Sequence, residues 1–199
     1  MLGREPLPRH TSKNGPERER FSDPEASWGH RSAISTRKGG GYYGYKLQAA
    51  ICTMTGLPLA WRVETARHHE SKFVAPLLDA LHARGYKPET VAMDKGYDNN
   101  RVYDECHERG IAPVIPLRKG RIQPDTPIKR STPEWAALYK RRTSVEREFG
   151  RLKHEYGLAF LRVRGIQRVR LHADLVMLGR LSLALARARA MRLSGPTVT

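Results

Sequence analysis

Tyr139-Lys140-Arg141-Arg142-Thr143-Ser144-Val145-Glu146-Arg147-Glu148-Phe149-Gly150-Arg151-Leu152-Lys153 is the stretch on which the reading of the whole chain turns. It holds one glycine and no proline, and Val145, Phe149 and Leu152 recur on one face, which predicts a helix. At about 100° per residue, Tyr139, Arg142, Glu146 and Lys153 fall within an arc of roughly 60° beside the apolar stripe. A carboxylate flanked by two cations and a phenol on a partly buried face suits a metal-binding Glu whose cationic neighbours hold a phosphate. A solvated amphipathic helix with a few ion pairs would carry the same residues, so the rest of the chain has to decide.

At 199 residues the chain can bury one sizeable core. Lys and Arg number 36 against 20 Asp and Glu, a net charge of +16. Such an excess favours a polyanionic partner, nucleic acid first, over a charge that serves solubility alone. Cys52 and Cys106 make neither a metal-ligand spacing nor a disulfide framework, and they fit a reducing cytosol. No apolar run approaches the ~20 residues of a membrane span, and the N-terminus has no signal-peptide segment. A cytoplasmic location with no membrane partner is the expectation.

Met1 to Gly41 is rich in Pro, Gly, Ser and charge and predicts tail or loop. Tyr45 to Met54 alternates apolar and polar as a half-buried strand does, Thr55-Gly56 marks a turn, and Leu57 to Thr65 returns. His68-His69-Glu70 reads as loop or helix start rather than a metal site, because sequence neighbours point apart. Phe73, Leu77, Leu78 and Leu81 form a helical stripe closed by Gly85. Thr90-Val91-Ala92-Met93 is a short buried strand ending at Asp94, where open α/β sheets place ligands. Asp94 is therefore a candidate metal ligand, and Asp98 is expected to cap the helix from about Asn99 to Arg109. Ala112 to Pro116 is one more strand. Leu117 to Pro133, with five basic residues and three prolines, is a long loop of the kind that usually serves function. A last helix from about Gln167 to Arg192 lines up Leu171, Leu175, Leu178, Leu181 and Leu185 on one face. From Tyr139 onward there are 14 Lys or Arg against 4 Asp or Glu, which favours a DNA-facing surface.

Tyr139, Arg142, Glu146 and Lys153 match at full spacing the Tyr-Arg-Glu-Lys signature of the DDE transposases of bacterial insertion sequences, which the chain thereby resembles. Asp94-Lys95-Gly96-Tyr97-Asp98 is similar to that family's second catalytic Asp motif. From about Ser22 to Arg192 the element order resembles its ribonuclease H-like α/β layout, a mixed sheet flanked by helices. The resemblance implies phosphodiester hydrolysis and strand transfer, with two Mg²⁺ ions held by three carboxylates. It implies Asp94 and Glu146 as catalytic carboxylates and metal ligands, and Tyr139, Arg142 and Lys153 as contacts to DNA phosphates. Duplex DNA, as transposon ends and as target, is the implied substrate, with nucleoid association in a bacterial cytoplasm.

One part departs from the pattern. The family's first Asp ends a buried strand ahead of the Tyr45 hairpin, and Met1 to Gly41 predicts no such strand. Asp23 is the sole Asp there, in the polar stretch Phe21-Ser22-Asp23-Pro24. The expectation is the carboxyl-terminal portion of a transposase that lacks its first strand and leaves a sheet edge open. Residues 1–41 are then a basic loop-like tail, 42–192 the incomplete catalytic domain and 193–199 a second tail. Three readings stay open: a remnant that is inactive alone or completed by a partner chain; a nuclease in which Asp23 replaces the first ligand; and a non-enzymatic DNA-binding protein that interferes with a full-length transposase. A second copy or a full-length transposase chain is the expected protein partner.

Overall fold

Tyr42 to Ile51 are ten successive buried residues within the strand Gly40–Ile51 (β3). A computed structural model describes this strand among residues 2–6, 23–31, 39–122, 124–159 and 161–193. The tail expected at 194–199, and much of that expected at 1–41, lies outside the described residues. The alternation in β3 sorts its side chains between two cores, and both faces are covered where one had been expected. Tyr45, Leu47, Ala49 and Ile51 enter one core, and Ala50 enters the other. The polar residues between them make polar contacts, Gln48 through its oxygen alone. Lys46 Nζ donates to the His68 carbonyl at 3.1 Å and meets Glu70 at 3.4 Å. Gln48 Oε1 accepts the Tyr97 hydroxyl at 3.2 Å.

Pro58–Thr65 (β4) returns antiparallel along β3, from Tyr45↔Thr65 onward, after a turn in which Gly56 takes φ +70°. Leu2–Pro6 (β1) runs antiparallel along the opposite edge, from Leu2↔Ala50 to Pro6↔Lys46, and Ser27–Arg31 (β2) pairs with Gly40–Gly44. These strands correct the expectation that residues 1–41 contain none and that the sheet edge stands open. The physical reason is that β3 is buried on both faces, so its backbone donors and acceptors require partners on both edges. Five extended residues supply them whatever their hydropathy. Gly29 of β2 passes so close to Ala66 that a Cβ would stand 2.7 Å from its carbonyl oxygen.

Val74–Ala83 (α1) ends at Gly85, as expected, with Tyr86 N donating to the Leu81 carbonyl at 3.0 Å. Thr90–Ala92 (β5) and Ala112–Val114 (β6), joined by the helix Asn100–His107 (α2), pair in parallel. They form their own two-stranded ladder, so the expected mixed sheet is divided into an antiparallel group of four and a parallel pair.

Pro133–Lys140 (α3), Thr143–His154 (α4) and Ile166–Leu193 (α5) complete the fold. Val145, Phe149 and Leu152 of α4 pack on the first core as their spacing predicts. On α5 the leucine stripe picked out by spacing is the outer face: Leu171, Leu175, Leu178 and Leu185 are exposed, and Val169, Ala173, Val176 and Met177 face the core. No helix among the described residues is long and apolar enough to cross a membrane.

Candidate active site

Asp94 stands where β5 stops. Met93 N donates to the Val114 carbonyl at 3.1 Å, continuing the ladder one step, and the chain then turns outward. Asp94 Oδ1 accepts Gly96 N at 2.7 Å, which starts a single 3₁₀ turn over Lys95–Tyr97 and leaves the exposed carboxylate at its head. Asp98 does not cap α2; Asn99 does, accepting Val102 N at 3.2 Å. Asp98 is fully buried and holds the basic loop instead. Its Oδ2 accepts Arg118 N at 2.7 Å, and its Oδ1 accepts the Tyr103 hydroxyl at 2.9 Å and lies 3.2 Å from Arg121 Nε. Burial, then the bond to Asp98, pushes the Tyr103 phenol up to about 12. Arg130 donates to that phenol oxygen at 2.6 Å and to the Ile115 carbonyl at 2.8 Å. Arg118 returns to the Asp94 turn, donating to the carbonyls of Lys95 at 3.1 Å and Gly96 at 2.6 Å. Three arginines of the loop are thus spent on fixing the turn that carries Asp94. A buried Asp among buried tyrosines has no signature in one sequence, so this hub was not legible.

The helix expected over Tyr139–Lys153 is broken at Arg141–Arg142. Thr132 caps α3 by accepting Trp135 N at 3.2 Å, with Pro133 in the first turn. Tyr139 stacks on Trp135 with ring centroids 5.0 Å apart. Arg142 occupies the N-cap of α4, its guanidinium 5.7 Å from the centre of the Tyr139 ring and 2.5 Å from Glu146 Oε1. Tyr139, Arg142 and Glu146 are therefore brought together across the break. Glu146 lies in the first turn of α4, where the helix dipole favours a carboxylate, and its side chain is 60 % exposed. Lys153 lies in the last turn of the same helix, about 10 Å further along the axis. The corner sits near β5: Leu138 and Arg141 line a cavity of about 240 Å³ together with Thr90, Val91 and Ala92.

Two residues away, Glu148 is turned inward. It is 1 % exposed and accepts Arg180 Nε of α5 at 2.6 Å and Nη2 at 3.2 Å. On the wheel it lies about 40° beyond Leu152, at the edge of the apolar arc and on the side away from Glu146, which is the signal that could have found it.

Asp23, weighed above as a stand-in for the first metal ligand, is committed elsewhere. Its Oδ2 accepts the Tyr45 hydroxyl at 2.8 Å and Gly165 N at 3.0 Å, and its Oδ1 accepts Glu25 N at 3.2 Å. Glu25 accepts Ile166 N at 2.7 Å, so the pair satisfies the first amides of α5. Burial and the bond to Asp23 raise the Tyr45 phenol well above its usual range. Among the described residues, no three His, Cys, Asp or Glu side chains converge as metal ligands. The three-carboxylate Mg²⁺ centre implied by the sequence does not fit the residues described, where Asp94 and Glu146 are without a third carboxylate.

Asp94 thus stands exposed at the end of β5, and Tyr139, Arg142 and Glu146 meet where α3 gives way to α4. The chain belongs to the transposase DDE domain family, whose model matches residues 7–181. It is similar to the Burkholderia cepacia protein named "Putative transposase for insertion sequence element IS402", at 28 % identity over 183 residues, covering 86 % of this chain and 79 % of the relative.

Proposed function

We propose that this chain binds duplex DNA in transposition through the α3–α4 corner and the cations around it. Asp94 and Glu146 hold two of the family's carboxylate positions without making up a metal centre by themselves, and Tyr139, Arg142 and Lys153 contact phosphates. The observation that carries the reading is the junction of Tyr139, Arg142 and Glu146 across the break between α3 and α4. The antiparallel group in which β3 lies between β1 and β4, with α4 against β1 and β3, and the parallel pair β5 and β6 support a ribonuclease H-like arrangement. Cleavage and strand transfer with Mg²⁺ are the chemistry of the family. With two candidate carboxylates on the described residues and Asp23 engaged at α5, the chain alone does not cut. A nucleoid-associated place in a bacterial cytoplasm follows from the same reading.

The test is a supercoiled plasmid incubated with purified protein and Mg²⁺ or Mn²⁺, beside Glu146→Gln and Asp23→Asn. DNA retention without nicking by any of the three is expected. Nicking abolished by both substitutions would restore Asp23 as a ligand. Nicking abolished by Glu146→Gln alone would show that another carboxylate completes the site, and would end the non-cutting reading.

A further inference from the structure

We propose that the solvent face of α5 is an antiparallel seam for a second copy of this chain. Leu171, Leu175, Leu178 and Leu185 are between 53 % and 60 % exposed. At about 100° per residue they fall within roughly 80° of arc, opposite the buried Val169, Ala173, Val176 and Met177. Ser182 and Ala186 continue the stripe. Between Leu171 and Ala186 the helix carries two residues of full charge. Arg180 is turned inward to Glu148, and Asp174, at the edge of the stripe, takes the Trp61 indole N–H at 2.7 Å. Among the described side chains of α5 beyond Arg180, none is buried, and Leu181 and Ala184 are half-buried.

The charges select the occupant and its direction. Arg189 continues the line of the leucines and Arg192 flanks it. A parallel pair of helices would set Asp174 on Asp174, Arg189 on Arg189 and Arg192 on Arg192. An antiparallel pair with Leu178 level with Leu185 of the second copy sets Asp174 level with that copy's Arg189. Two-fold symmetry makes this contact twice. The exposed leucines leave roughly 300 Å² of apolar surface per copy. With the intervening Ser and Ala and the stems of the arginines, the pair approaches the ~1,000 Å² that a specific interface needs. The net charge of +16 opposes association at long range, and salt screens that repulsion while leaving an apolar seam intact.

The test is sedimentation of the full chain, freed of nucleic acid, at low and high salt. A dimer that holds or tightens as salt rises is expected, weakened at least tenfold by Leu178→Glu with an unchanged thermal melt. Arg189→Asp should weaken it, and Asp174→Arg added to Arg189→Asp should restore it. Ser182→Cys, near the dyad, should cross-link two copies. Leu171→Cys should not, because its two copies stand roughly 30 Å apart along the seam. A monomer at every concentration, a dimer that salt dissolves, a dimer indifferent to Leu178→Glu, or cross-linking of both cysteine variants would overturn the proposal.

Discussion

Glu146 and Glu148 are two residues apart on α4 and do opposite things. Glu146 faces solvent and pairs with Arg142 one turn back, an exposed contact that contributes at most a few tenths of a kcal/mol. Glu148 is buried against Arg180, and removing its charge strands a guanidinium inside the protein. Urea denaturation should therefore show Glu148→Gln destabilised by about 3 kcal/mol. Glu146→Gln should stay within about 0.5 kcal/mol of wild type. Equal effects would mean that the two carboxylates are not sorted as described. The sequence named Glu146 by its spacing to Tyr139, Arg142 and Lys153. It did not name Glu148, Asp98 or Tyr103, because a buried polar group is defined by partners distant in the chain. The cysteines divide in the same way. Burial pushes the Cys106 thiol up to about 12; at half-buried Cys52 burial also pushes upward, but hydrogen bonds from the Thr55 side chain and from the Thr55 and Met54 backbone together outweigh it and hold the thiol below its usual range. A thiol reagent at neutral pH should label Cys52 and spare Cys106, as peptide mass mapping will show. Cys106 keeps its proton in the folded chain after the unfolded chain loses it. Its contribution is complete below about 9, and stability falls as pH rises from there toward about 12.

Elements were legible wherever a periodic apolar pattern met a cap. α1 with Gly85, β5 before Asp94 and the core face of α4 follow from local spacing. The break at Arg141–Arg142 was not legible, since no Pro or Gly marks it; what accompanies it is Tyr139 stacked on Trp135 and faced by the Arg142 guanidinium. On α5 two apolar faces compete, and spacing alone does not say that Val169, Ala173, Val176 and Met177 rather than the leucines meet the core. Strand β1 was missed because its residues carry no strand pattern, and its place comes from the unmet edge of β3. Asp23 belongs to this scale as the residue that ties β2's approach to the start of α5. Asp23→Ala should lower stability by about 1–2 kcal/mol through loss of the cap, measured by urea denaturation. It should leave Mg²⁺ binding unchanged in calorimetry. Loss of metal binding with stability kept would reverse that assignment.

At the scale of the molecule, two cores back onto one strand, and cations gather around the corner that holds Tyr139, Arg142 and Glu146. The basic loop does not simply offer its charge: Arg118, Arg121 and Arg130 are engaged within the protein. Exposed arginines of α4 and α5, Arg147, Arg168 and Arg187 among them, carry the field that a polyanion meets. Binding through such a field releases counterions and is blind to base sequence. The most direct measurement is the fluorescence anisotropy of a labelled duplex titrated with wild-type protein from about 50 to 300 mM salt. The account predicts tight binding at low salt and a linear fall of log affinity with log salt, with similar curves for unrelated duplex sequences. Lys153→Ala should weaken binding uniformly and reduce that slope by about one. A salt-independent affinity, or no binding at low salt, would contradict it.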